Sequence, residues 1–257
     1  MPANMFPPGW SREKKSAVTV ATAIILMLLF LWLMATPLSW LPAPIGPAAQ
    51  QFAEGSRMTV QLTVVAGLAG VLLGVIAALA KLSSIWPLRM LASFYIWVFR
   101  GTPLLVQVMF AFSITLPNGS NFTEFQAAVI ALALNVGAYN AEAIRAGILA
   151  VPRGQHEAAR SLGLSSFQTF IDVIFPQAFR ISLPALVNNI VSLLKDSSLA
   201  YVIGVVELSN IGNQVKSASF EPVPVFITVA AIYLVLTTLM TQVSDAIERQ
   251  LDVERHK

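Results

Sequence analysis

The residues in this chain whose types could do chemistry are polar ones embedded in apolar runs: Arg100, Thr102, Gln107, Asn135, Asn140, Glu142, Lys195 and Asp196. A charge surrounded by hydrocarbon is costly, so each is expected to meet a partner or face a polar passage. Counting about 1.5 Å per residue along helical runs puts Arg100 and Glu142 at similar depth, close enough to pair. Lys195 and Asp196 are adjacent on a helical run and point about 100° apart, so they cannot both face one partner. At Thr102-Pro103 the proline removes a backbone donor and loosens the carbonyl four residues back. Freed carbonyls beside Arg100, Gln107, Asn135 and Asn140 would make a polar pocket; a simple kink is the plainer reading.

The elements that must position these residues are membrane helices. Apolar residues make up 56% of the 257 and charged residues only 11%, whereas soluble domains carry roughly a quarter charged. A span needs about 20 apolar residues, and six segments qualify: Val18–Thr36, Ser56–Leu82, Leu88–Leu116, Phe122–Leu149, Ser182–Gly204 and Pro222–Ala246. The fold class is therefore an all-α polytopic membrane protein. The first run follows Arg12, Lys14 and Lys15, as a signal peptide would, but it is long and lacks a small-residue cleavage site directly after it. It is read as a retained span. Gly67, Gly70 and Gly74 form a small-residue face suited to close helix packing.

Orientation follows from the basic residues of short loops. With the N-terminus in the cytoplasm, the inside tally is Arg12, Lys14, Lys15, Lys81, Arg89, Arg145, Arg153, Arg160, Arg180, Arg249, Arg255 and Lys257, against Arg57 and Lys216 outside. Both termini are expected in the cytoplasm. The expected segments are a cytoplasmic N-terminus 1–17, a span 18–36, an outer loop 37–55, a transmembrane domain 56–246 and a cytoplasmic tail 247–257. Scattered basic residues argue against nucleic acid as a partner.

One stretch breaks the pattern. Residues 152–180 carry Arg153, Gln155, His156, Glu157, Arg160, Gln168, Asp172, Gln177 and Arg180, too polar for lipid. Their spacing predicts helix, turn, helix. Ala158 and Ala159 permit close approach of another surface, Gly163 suits a left-handed turn, and Pro176 is expected to kink or end the second helix. Phe167, Phe170, Ile171, Ile174 and Phe175 recur at helical spacing and form one apolar stripe. Such an insert is either a docking element for a partner or an interfacial loop without one.

GQHEAARSLG, followed by Phe175-Pro176, resembles the EAA coupling motif of ABC importer permeases. FRGTPLLVQ at 99–107, AYNAEAIRAGI at 138–148 and LLKDSSLAYVIGVVEL at 193–208 are similar to the permeases for polar amino acids. The resemblance runs from about Ser56 to the C-terminus, so span 18–36 departs from it as an added helix beside five core spans. It implies a transmembrane permease subunit of an ATP-driven amino acid importer in the cytoplasmic (inner) membrane of a bacterium. Glu157, Ala158, Ala159 and Gly163 would couple it to ABC ATPase subunits. Arg100, Thr102, Gln107, Asn135, Asn140, Glu142, Lys195 and Asp196 would line the substrate pathway, with Arg100 and Glu142 either a structural pair or contacts to the amino acid's charged ends. A second permease chain, identical or sister, and an extracytoplasmic amino-acid-binding protein complete the implied assembly in membrane lipid.

No GxxxxGK[ST] loop is present to cradle a nucleotide. ATP and magnesium are then expected on the partner ATPase, with no cofactor or metal in this chain. Both histidines fall outside the spans, cysteine is absent, and no HExxH or GxSxG motif appears. An intramembrane enzyme therefore finds no support. An ion-coupled secondary transporter, using Glu142 or Asp196, is the alternative, but it has no use for a docking insert.

Overall fold

Apolar runs of this length fold into helices because hydrocarbon leaves backbone groups no partner but one another. The computed structural model describes residues 12–115 and 122–255, and every regular element among them is helical. Helix α1 (Arg12–Leu33) leads into a short α2 (Ala35–Ser39), and a 3-10 turn at Gly46–Ala48 opens α3 (Ala49–Leu82). Then come α4 (Trp86–Gly101), α5 (Leu104–Thr115), α6 (Glu124–Ala150) and α7 (Arg153–Ser161). A short α8 (Ser166–Gln168), a π-helical stretch Thr169–Ile174 and α9 (Phe175–Asp196) run on without a break. The 3-10 segment Ser197–Ile203, α10 (Leu208–Ser219) and α11 (Pro222–Arg255) complete the chain.

Five stretches are long and apolar enough to cross a membrane, and α4 with α5 make a sixth if taken as one broken span. That agrees with the sequence reading in number but not in every boundary. Residues 49–55, expected in the outer loop, are the first two turns of α3. The expected span Leu88–Leu116 is two helices bent by 112° at Thr102-Pro103, far more than a kink. The expected span Ser182–Gly204 begins earlier and leaves the α-helix at Asp196. Residues 1–11 of the expected N-terminal stretch, Leu116, and His256 in the tail lie outside the described residues.

Helices α3 and α6 form the centre. Gly70 faces Val136 and the Ala133 carbonyl, and Gly74 faces Asn140 and Ala141, with no room for a Cβ at either glycine. These contacts advance together along both helices, so α3 and α6 run parallel. One buried cluster joins them with α5 and residues 200–205, through Leu62, Ala66, Val108, Leu132 and Ile203. A second joins α1, the start of α3, α10 and α11, through Met34, Phe52, Leu208, Val225 and Leu236. Helix α1 leans on α11, where Ser16 Oγ donates to the Ala246 carbonyl at 3.0 Å, and turns Trp32 and Leu28 outward.

Candidate functional site

The break between α4 and α5 is closed by two amides. Gln107 Nε2 donates to the carbonyl of Phe99 at 2.9 Å, to that of Thr102 at 3.1 Å and to Thr102 Oγ1 at 2.8 Å. Asn135 Nδ2, from α6, reaches the same Phe99 carbonyl at 3.1 Å and Gln107 Oε1 at 3.0 Å. Pro103 strands these carbonyls, and Gln107 and Asn135 satisfy them. Gln107 is buried by this work.

Beside the break lies a cavity of about 380 Å³ lined by Thr102, Pro103, Leu104, Asn135, Val136, Tyr139, Asn189, Ser192, Leu193, Asp196 and Leu199. Its size falls within the range of small-molecule sites. Of the sequence-predicted pathway residues, Thr102, Asn135 and Asp196 line it. Asn189, Ser192 and Tyr139 were not anticipated, although Asn189 and Ser192 lie two turns and one turn before Asp196 on the same helix face. Asp196 lines the cavity while its neighbour Lys195 is exposed, as their angular separation requires. No other described residue holds the Asp196 carboxylate by a hydrogen bond or ion pair.

Arg100 and Asn140 stand behind this lining. The Arg100 guanidinium sits 5.1 Å from the centroid of the Tyr139 ring, itself a cavity wall. Asn140 is fully buried and accepts from Asn189 Nδ2 at 2.9 Å, fixing the position of that cavity amide.

Arg100 and Glu142 do not pair, which corrects the sequence expectation. Glu142 Oε1 accepts from Lys81 Nζ at 2.5 Å, and its Oε2 from Arg145 Nη2 at 2.8 Å. The reason lies in the bend. The Phe99 carbonyl meets Asn135, seven residues before Glu142, which places Arg100 about 10 Å away along α6. Lys81 is instead carried to Glu142 by α3, whose parallel packing on α6 the glycines permit. Glu142 therefore stands apart from the cavity and ties two helices together.

The insert folds as helix, turn, helix. Helix α7 ends where Gly163 N–H donates to the Arg160 carbonyl at 2.9 Å and Leu164 N–H to that of Ala159 at 3.1 Å. Gly163 has φ +80°, the left-handed value this double closure demands. Ala159 is buried while Glu157 and Ala158 are exposed, flanked by Leu162 at 81% and Phe167 at 75% exposure. Ser165 caps the next helix, its Oγ accepting from Gln168 N–H at 3.3 Å.

Pro176 does not end the second helix: α8, the π-helical stretch and α9 run on through it to Asp196. The apolar stripe is also divided: Ile174 is buried and Phe170 half-buried, whereas Phe167, Ile171 and Phe175 are exposed. The π-helical stretch Thr169–Ile174 shifts the register, so residues on either side of it no longer share one face.

Comparisons with known proteins agree with this architecture. A family model described as "Binding-protein-dependent transport system inner membrane component" matches residues 70–253, which leaves α1 outside it. The chain is 42% identical over 199 residues to the L-cystine transport system permease protein TcyB of Bacillus subtilis (strain 168), covering 77% of this chain and 85% of that protein. It is 39% identical over 200 residues to the arginine transport system permease protein ArtQ of the same organism, covering 77% and 91%. It is 36% identical over 212 residues to the glutamine transport system permease protein GlnP of Escherichia coli (strain K12), covering 81% and 96%. A solved structure described as an amino acid ABC transporter with histidines matches with TM-score 0.75 at 43% identity, covering 79% of this chain and 95% of that one. The MetNI methionine ABC transporter, in an inward-facing conformation, shares the fold at 22% identity and TM-score 0.68, covering 80% and 98%.

Proposed function

This chain belongs to the family of binding-protein-dependent transport system inner membrane components, and on that premise we propose how it works as the membrane-spanning permease subunit of an ATP-driven amino acid importer. Family membership sets aside the ion-coupled secondary transporter. The solute is an amino acid that passes through the cavity beside Pro103. There the Asp196 carboxylate receives its ammonium group, the amides of Asn135 and Asn189 with the hydroxyls of Thr102 and Ser192 hold its polar atoms, and Arg100, reached across Tyr139, attracts its carboxylate. Catalysis is absent from the subunit: ATP and magnesium belong to partner ATPase subunits, which dock from the cytoplasm on Glu157, Ala158, Ala159 and Gly163. A second permease chain completes the passage, and an extracytoplasmic binding protein delivers the solute. Both termini lie in the cytoplasm.

The observation that carries this reading is the continuity of α9. One helix begins within the insert and ends at Asp196 on the cavity wall, with Pro184 inside it, so a displacement of α7 carried through the Gly163 turn has a direct helical path to the solute. The test is uptake of labelled L-arginine, L-glutamine and L-cystine into vesicles carrying the complete importer. Uptake is expected to require ATP and survive a proton ionophore, and Asp196→Asn to raise KM more than it lowers maximal rate. Uptake driven by a proton gradient without ATP would refute the proposal.

A further inference from the structure

Glu207 is fully buried, and neither the cavity nor the docking surface uses it. Its carboxylate caps α10, accepting from the backbone N–H of Ser209 and Asn210, each at 2.9 Å. The same carboxylate accepts from Tyr233 Oη of α11 at 3.0 Å, and Thr59 Oγ1 of α3, whose proton is shared between the Gly55 carbonyl at 3.0 Å and Glu207 at 3.4 Å, accepts the Leu208 N–H at 3.1 Å. Helices α3 and α11 thus meet the start of α10 at one side chain. The approach is tight: a Cβ at Gly55 would stand 3.1 Å from Leu208 Cα and 3.2 Å from the Glu207 carbonyl carbon.

Position in the chain gives this anchor a consequence. Ten residues separate Glu207 from Asp196, and between them run the 3-10 segment that supplies cavity-lining Leu199 and the left-handed Gly204 at φ +93°. Ile203 and Val205 pack into the α5–α6 cluster, whereas Leu208 and Ile211 pack into the α1–α11 cluster. Glu207 therefore stands where packing passes from one cluster to the other, at the end of the segment that walls the cavity opposite the insert.

We propose that Glu207 is a positioning residue that latches Ser197–Ile203 over the cavity, so that α11 and α3 together control its opening away from the docking surface. This rests on the cavity being the solute passage. Leaving a buried backbone donor without its acceptor is costly enough that losing one of these hydrogen bonds shifts an opening equilibrium by about tenfold.

The test uses the complete importer in membrane vesicles, with the partner subunits free of cysteine; this chain has none of its own. Leu199→Cys is exposed to a membrane-impermeant maleimide from the extracytoplasmic side. Glu207→Gln is expected to raise the labelling rate about tenfold, and Tyr233→Phe to raise it less, in complexes that retain the ATPase. Unchanged labelling in the assembled variants overturns the latch. If Glu207→Gln fails to assemble, Tyr233→Phe decides by the same criterion. Protection of Leu199→Cys by L-arginine, L-glutamine or L-cystine, presented with the binding protein, tests the passage separately. Faster labelling of the Glu207 variant without any protection would remove the passage reading and leave the latch standing.

Discussion

Lys81 and Glu142 form a 2.5 Å ion pair between α3 and α6, with Arg145 closing on the other carboxylate oxygen at 2.8 Å. All three side chains are partly exposed, so the cluster is weaker than a fully buried pair. Glu142→Gln leaves two cations adjacent and is expected to lower stability by about 1–3 kcal/mol. Exchange of the pair, Lys81→Glu with Glu142→Lys, is expected to recover part of that loss. Arg100→Gln removes only a contact with the Tyr139 ring and is expected to cost about 1 kcal/mol or less. Thermal unfolding in a double-mutant cycle checks these values. A larger coupling of Glu142 to Arg100 than to Lys81 would contradict the geometry.

Gly163 gives a prediction at the insert. At φ +80° a side chain costs about 1–2 kcal/mol, more for a β-branched one. Because nothing surrounds its Cβ position, the strain is purely of the backbone. Gly163→Val is expected to distort the turn between α7 and α8 and reduce uptake several-fold while the chain still inserts. Glu157→Lys, on the exposed face, is expected to weaken ATPase retention without changing the unfolding temperature. Co-purification and uptake distinguish the two, and normal uptake in both would remove the docking role.

Where the sequence reading worked, local rules governed the outcome. Gly163 ends a helix because only its φ permits the double carbonyl closure, and Gly70 and Gly74 pack because they lack side chains. Both signals sit in short stretches of chain. The depth of Arg100 did not, since one dihedral break at Thr102-Pro103 redirected everything before it, and counting along a straight helix cannot register that. The partner of Glu142 was missed for a related reason: Lys81 was treated as a topology marker, not as a side chain delivered by parallel packing. Glu207 left little signal, because an acid three residues after Gly204 in VVEL looks like a loop residue until α3 and α11 are placed beside it.

Orientation can be tested with single cysteines, since the chain has none. Gln50 at the start of α3 and Ser165 in the insert are both exposed. Gln50→Cys is expected to react with an impermeant thiol reagent on intact cells, and Ser165→Cys only after the membrane is opened. The reverse pattern would invert the topology.

Helix α1 is predicted to stabilise the permease without being needed for docking. Removing residues 2–33 exposes the α11 surface it covers and leaves Arg57 without the Leu31 carbonyl, which its Nε reaches at 3.1 Å. A lower unfolding temperature with ATPase retention unchanged is the expected result. A truncated chain that inserts yet retains no ATPase would make α1 part of the core.

Gln107 at the α4–α5 break and Asn189 on the cavity wall should separate bracing from solute contact. Gln107 faces the freed carbonyls of Phe99 and Thr102 and does not line the cavity, whereas Asn189 does. Gln107→Leu keeps the bulk but strands the Thr102 carbonyl and leaves the Asn135 amide only the Phe99 carbonyl, a loss of about 1–3 kcal/mol in a buried setting. Stability and maximal uptake rate are expected to fall together, with KM little changed in the chains that remain folded. Asn189→Leu is expected to do the opposite, raising KM several-fold. It removes a cavity amide and leaves only Asn140, its partner at 2.9 Å, to find another donor. Unfolding curves paired with uptake kinetics decide the matter. A KM effect from Gln107→Leu equal to that from Asn189→Leu would mean that the break itself moves with the solute, and that Gln107 belongs to the passage.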